Sequence, residues 1–195
     1  MEGVFGWRRA RVIVALVGAA FGVVVVLLSF LPGASYLPDG IQFIPFILAF
    51  PCFGWAIIEV SQAQSARRRS QPGQKWYQRG ATAYQEGARI WADVWANLRR
   101  YQGLLAVVIP LIIGLWLVMM FSITSSQGQP EHDGNHYYLD DHGSHIPVTK
   151  AGYEYAVAVG ERGFAAAGTL FLLMSVGITL GFDPKQQPSQ PAPLL

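Results

Sequence analysis

Four long runs of apolar residues without a charged side chain restrict the possible folds of this chain more than any other feature. The runs cover residues 12–31, 41–58, 104–123 and 163–182. A helix needs about 20 apolar residues to cross the hydrocarbon core of a bilayer, because each residue rises about 1.5 Å. The sequence therefore predicts an all-α integral membrane protein with four transmembrane helices. Only 13% of the residues are charged, against about a quarter in soluble domains.

The distribution of basic residues predicts the orientation of these spans. Twelve of the 14 Lys and Arg residues lie before the first span, between the second and third spans, or after the fourth span. Because cytoplasmic flanks collect Lys and Arg, both termini should be cytoplasmic in a bacterial-type plasma membrane. The same charges would attract anionic membrane lipid, and we see no reason to expect a nucleic-acid partner. The first span follows three arginines but has no cleavage site after it, so we interpret it as a retained anchor and not a signal peptide.

The spans and the segments between them divide the chain into four parts. We predict a first transmembrane hairpin (1–60), a cytoplasmic loop (61–101), a second transmembrane hairpin (102–182) that includes an outer loop (124–150), and a disordered tail (183–195), which is rich in proline and glutamine.

The cytoplasmic loop contains a predicted amphipathic helix after a polar, disordered-looking start. Tyr84, Trp91, Trp95 and Leu98 belong to a stripe with alternating steps of three and four residues, which is the spacing of one helix face. Ile90 and Val94 widen this stripe. Two interpretations remain open for this face. It could lie in the lipid headgroup region, which we favour, or it could dock against the bundle or a protein partner.

Small residues mark candidate contacts between the predicted helices. The first span contains Gly18 and Gly22, and the last helix contains Gly160 and Gly163. Close backbone approach through small residues is a common way for helices to associate in membranes. These glycines could serve packing within the chain's own bundle or contact with another subunit.

The outer loop contains all four histidines of the protein, within the stretch HDGNHYYLDDHGSH. We predict a small β-hairpin here, with its turn at His142 and Gly143, and a helix capped by Thr149 after it. Imidazoles suit zinc or copper, and the neighbouring aspartates could complete a site. The metal hypothesis names the four histidines as ligands: His132, His136, His142 and His145. A pH-sensing role for the same cluster is the other possibility.

The run GQPEHDGNHYYLDDHGSHIPVTKAGYE, followed by Arg-Gly-Phe at the start of a span, resembles small four-span membrane proteins of actinobacteria. The residues that carry this resemblance are Gly134, Tyr137, Tyr138, Asp141, His142, Gly143, Val148, Thr149 and Tyr153. It covers about 40 residues and the general four-span layout. The resemblance implies that the hairpin is a structural unit, and it implies no activity.

The sequence favours a non-enzymatic protein that acts through contacts between helices or with a partner, as an accessory subunit or a homo-oligomer. No GxSxG motif or phosphate-binding glycine loop occurs, and no cofactor is expected unless the histidines hold a metal. A channel or transporter subunit is a further alternative, whose pore would need an oligomer lined by Gln42, Ser122 and Thr124 or similar weakly polar groups. Against it, the centres of the four runs carry no ionisable group, whereas transport pathways tend to contain them.

Overall fold

The computed structural model describes residues 2–31, 40–69, 76–125 and 128–182. Its helices are α1 (Glu2–Leu28), α2 (Phe43–Arg69), α3 (Trp76–Leu98), α4 (Gln102–Ser125) and α5 (Lys150–Gly181), and a 3₁₀ turn (Arg99–Tyr101) joins α3 to α4. Its strands are β1 (Gln129–Asp133), β2 (His136–Asp141) and β3 (Ser144–Val148). The tail that we predicted to be disordered lies outside the described residues.

Four long apolar helices dominate the described part of the chain, as the apolar runs predict. By length and composition, α1, α2, α4 and α5 could each cross a membrane. The longest of them, α5, is central, because α1, α2, α3 and α4 all pack against it. The main core lies along α5 and includes Ala165, Leu172 and Val176. The fold is therefore a set of helices arranged around α5.

Close approach of α1, α2 and α5 depends on glycine. A Cβ atom added at Gly18 would lie 3.0 Å from Leu172 Cδ1, and one added at Gly22 would overlap the side chain of Thr169. A Cβ atom at Gly168 would lie 2.7 Å from Phe46 Cα and closer still to Phe46 N. Because helices in a membrane associate through close packing, these contacts set the spacing of the three helices.

Helix α2 continues past its apolar part, which corrects the prediction of disorder for residues 61–69. The rest of that predicted stretch, 70–75, lies outside the described residues. The helix ends at Arg69, and its residues Val60 and Ala63 pack against a small cluster formed by Ile90, Val94 and Phe182. The prediction was based only on the local polarity of this segment. The segment is helical because alanine, glutamine and arginine favour helix and because the cluster gives the extension a surface to pack on.

The outer loop forms a three-stranded antiparallel sheet in the order β1-β2-β3. The predicted hairpin corresponds to β2 and β3, and its turn has positive φ at both His142 (53°) and Gly143 (89°), as a type I′ turn requires. The additional strand, β1, was missed by the sequence analysis. A Gly-Asn turn joins it to β2, with Gly134 at φ 58°, and this dipeptide between two polar strands was the available signal.

The predicted cap at the start of α5 is confirmed. The backbone N–H of Gly152 donates to Thr149 Oγ1 at 3.2 Å, which satisfies one of the free donors in the first helical turn. The sheet therefore leads directly into the central helix.

Candidate functional site

The two ends of the helix bundle differ in chemistry. The start of α1, the end of the apolar part of α2, helix α3 and the end of α5 lie together at one end, which we call the arginine end. The three-stranded sheet lies at the other end, which we call the sheet end. The contacts that define the arginine end join Arg8 to the Phe182 carbonyl, Arg11 to Glu59, and Asn97 to Gly181.

An ion cluster ties three helices together at the arginine end. Arg8 donates to the Thr179 carbonyl at 3.0 Å and to the Phe182 carbonyl, at the C-terminus of α5. Arg11 pairs with Glu59 of α2 and lies 5.6 Å from the ring centroid of Trp55. A cation at a helix C-terminus is favourable because carbonyl groups there have no helical partner. From the sequence, these arginines were interpreted through orientation and attraction to anionic lipid, and the pairing was missed. A lone Glu at the matching end of α2 was the signal for it.

Three of the predicted metal ligands lie in the strands, and the sheet register places them on different faces. Side chains alternate between faces along a strand. His132 faces α5, where its Nδ1 lies 3.4 Å from the Tyr153 hydroxyl. His136 and His145 lie on the opposite face, on either side of Tyr138.

The fourth histidine, His142, lies at the β2–β3 turn with its side chain in solvent. Within the described residues, no group of three or more His, Cys, Asp or Glu side chains is arranged to hold a metal ion. Two histidines lie near carboxylates: His142 Nε2 is 3.8 Å from Asp141 Oδ1, and His145 Nδ1 is 3.7 Å from Glu131 Oε2.

Of the predicted α3 stripe, the edge formed by Ile90, Val94 and Leu98 packs against the bundle, and the tryptophans do not. Ile90 and Val94 are buried and Leu98 is partly buried, whereas Trp91 is 47% and Trp95 55% exposed. The packed face is therefore displaced by one residue from the stripe of aromatic residues. The tryptophans remain available for lipid or for another protein.

The four glycines predicted as interaction residues have three different environments. Gly18 and Gly22 lie inside the bundle, and Gly163 contacts α4, where an added Cβ atom would be 3.2 Å from Ser122 Cβ. Gly160 has no atom within 4 Å of an added Cβ atom, because it lines a pocket.

This pocket, which we call the sheet-end pocket, has a volume of about 720 Å³. Its lower walls come from α2, α4 and α5 and include Phe46, Met119, Ile123 and Phe164. Its roof comes from the sheet and includes Gln129, Asp140, Asp141 and His142. Pockets that bind small molecules commonly have volumes of about 300–1,000 Å³ and mostly apolar walls.

The two carboxylates of the roof, Asp140 and Asp141, differ in the contacts that they already make. Asp140 Oδ1 accepts a hydrogen bond from the backbone N–H of Gly143 at 2.8 Å, so this side chain also holds the β2–β3 turn. The Asp141 side chain is more than half exposed and has His142 as its neighbour. Asp141 is therefore the carboxylate with more capacity to bind a ligand.

A smaller cleft of about 250 Å³ lies on the other side of α4. Phe30, Leu117 and Phe121 line it, and the Arg162 guanidinium lies 4.6 Å from the ring centroid of Phe30. Arg162 Nε also donates to the Ala158 carbonyl at 3.0 Å. Helix α4 is thus flanked by open space on both sides near the sheet end.

The three residues suggested for an oligomeric pore have different environments in the described structure. Thr124 donates to backbone carbonyls of its own helix, and Ser122 packs against Gly163. Gln42 Oε1 is buried without a hydrogen-bond partner among the described residues.

Comparison of the chain with protein-family models, with curated proteins and with solved structures finds no match.

Proposed function

We propose that this chain is a non-enzymatic membrane protein that acts through contacts between helices, and that α4 is the helix that contacts a second copy of the chain. The observation that carries the proposal is the position of α4 at the edge of the bundle. In its most apolar 18-residue window, 6% of the residues are buried, against 56% for the corresponding window of α5.

The other three long apolar helices, α1, α2 and α5, each pack against more than one helix. α1 packs against both α2 and α5, and α2 likewise packs against both α1 and α5. In the part of the chain that the structure describes, α4 has extensive helix contacts only with α5 and with the 3₁₀ turn before it. A further helix could therefore pack against α4 without disturbing the bundle.

The exposed side of α4 carries small residues at helical spacing. Gly103, Ala106, Pro110 and Gly114 are all exposed and follow one another at steps of three, four and four. A Cβ atom added at Gly103 or Gly114 would meet no atom within 4 Å. Two such stripes can pack against each other about a two-fold axis, because the same patch serves both subunits.

Cysteine cross-linking tests this contact, since the chain has a single, buried native cysteine, Cys52. In a Cys52→Ser background we would compare Gly114→Cys with Val17→Cys, a control on the exposed face of α1. A residue close to a two-fold axis lies near its own copy, and a disulfide needs Cα atoms within about 7 Å. Oxidation in native membranes should therefore give a covalent dimer of Gly114→Cys at many times the yield of Val17→Cys.

Equal dimer yields for the two variants would refute the self-contact. A Gly114→Cys product that contains a different protein would refute the homo-oligomer and support an accessory subunit instead.

A further inference from the structure

We propose that the sheet-end pocket binds a membrane lipid with an ammonium headgroup, with an acyl chain along α5 and the headgroup at Asp141. This site is independent of the α4 contact proposed above, because it lies on the flank of α4 that faces α2.

A row of small residues on α5 forms the part of the pocket that suits an acyl chain. Ala156, Gly160, Gly163 and Ala167 all line the pocket at steps of four, three and four residues, which places them on one helix face. The row is about 16 Å long at 1.5 Å per residue. It forms a furrow because these residues have little or no side chain.

Large apolar side chains border this furrow. Phe46 of α2, Met119 of α4 and Phe164 of α5 line the pocket below the sheet. A hydrophilic ligand would leave these side chains without a matching surface, whereas an aliphatic chain would bury against them at about 25 cal/mol per Å². The lower part of the pocket therefore indicates an apolar ligand segment.

The charges of the roof indicate the headgroup. Asp140 and Asp141 line the pocket, and no Lys or Arg is among its lining residues. An anionic headgroup would meet two carboxylates and no Lys or Arg, whereas an ammonium group could pair with the Asp141 carboxylate, which is more than half exposed beside His142. A metal cation could pair with the carboxylates of the roof, but it would not contact the apolar lower walls of the pocket.

The position of the sheet argues against a protein helix as the occupant. Residues of β1, β2 and the β2–β3 turn cover the top of the pocket. A partner helix that crosses the membrane would have to continue through this roof. A lipid ends in its headgroup and can enter from the side.

The test uses the full chain reconstituted in bilayers with equal amounts of phosphatidylethanolamine and phosphatidylglycerol, followed by native mass spectrometry of the retained lipid. Gly160→Leu should fill the pocket, because an added Cβ atom there has free space around it. Gly177→Leu is the matched control, since Gly177 lies on the same helix with equally free space and outside the pocket. Asp141→Asn removes the charge and keeps the shape of the side chain.

The wild type and Gly177→Leu should retain phosphatidylethanolamine in preference to phosphatidylglycerol. Gly160→Leu should lose at least 80% of the retained lipid, as an order-of-magnitude expectation for a filled pocket. Asp141→Asn should lower the ratio of the two lipids by about threefold, the size expected of a partly exposed charge pair. Thermal unfolding of each variant would check that the bundle is intact.

Unchanged lipid retention in a folded Gly160→Leu would overturn the site. Equal retention of the two lipids by the wild type, or an unchanged ratio in Asp141→Asn, would overturn the assignment of the headgroup.

Discussion

Replacement of Gly168 by alanine should separate α5 from α2 and destabilise the bundle. The added Cβ atom would lie 2.7 Å from both Phe46 Cα and Pro45 C, whereas ordinary van der Waals contacts are 3.4–4 Å long. These neighbours are backbone atoms near the start of α2 and cannot rotate away. The two helices would therefore have to move apart by at least about 0.7 Å at this point, the difference between 3.4 Å and 2.7 Å, because Phe46 N lies closer still.

The magnitude follows from two opposing effects. A gap of 0.5–1 Å removes about a quarter to a half of the dispersion energy of each contact across the interface, and overpacking of a core costs about 1–3 kcal/mol. Alanine in place of glycine favours a helix by about 1 kcal/mol. We expect a net loss of up to about 2 kcal/mol in the free energy of unfolding.

Unfolding in mild detergent would measure this change, with Gly177→Ala as the control. A Cβ atom added at Gly177 meets no atom within 4 Å, so this variant receives only the helix-propensity gain of about 1 kcal/mol. Gly168→Ala should therefore be less stable than the wild type and Gly177→Ala equally or more stable. Equal stability of the two variants would show that the close contact between α2 and α5 does not restrain the bundle.

Other perturbations test separate parts of the structure. Glu59→Gln removes the carboxylate that pairs with Arg11 and should lower the stability to thermal unfolding by about 1–3 kcal/mol; an unchanged midpoint would contradict a stabilising role. Asparagine tolerates positive φ better than histidine, so His142→Asn, at φ 53°, should slow proteolysis of the sheet by about twofold; faster cleavage would argue against the turn. Val94→Ala should speed hydrogen exchange in α3, because it should lower the free energy of unfolding by about 2 kcal/mol. Trp91→Ala, at an exposed position, should change the exchange rate little. The opposite order would place the packed face of α3 on the tryptophans. Replacement of all four histidines by alanine should leave zinc affinity within about threefold of the wild type, since they do not converge; a larger loss in a zinc titration would restore the metal site.

Local patterns in the sequence were sufficient for the elements whose physics is local. A run of 20 apolar residues favours a spanning helix whatever its neighbours are, so the four long helices could be predicted. The cap at Thr149 and the turn at His142 and Gly143 depend on a few consecutive residues, and they too could be predicted. The strand β1 was missed because a short polar strand shows little alternation, and its stability depends on pairing with β2.

The tertiary structure decided which of several possible surfaces each residue uses. Gly18 and Gly160 have the same local pattern, yet one packs against Leu172 and the other opens into a pocket. The tryptophans of α3 share a face by sequence, but the bundle packs against Ile90 and Val94 beside them. These outcomes depend on contacts between segments far apart in the chain, and helical spacing only limits which residues can share a face. For the same reason, the sequence predicts a four-span membrane protein but does not predict the pocket beneath the sheet. This pocket exists only where α2, α4, α5 and the strands meet.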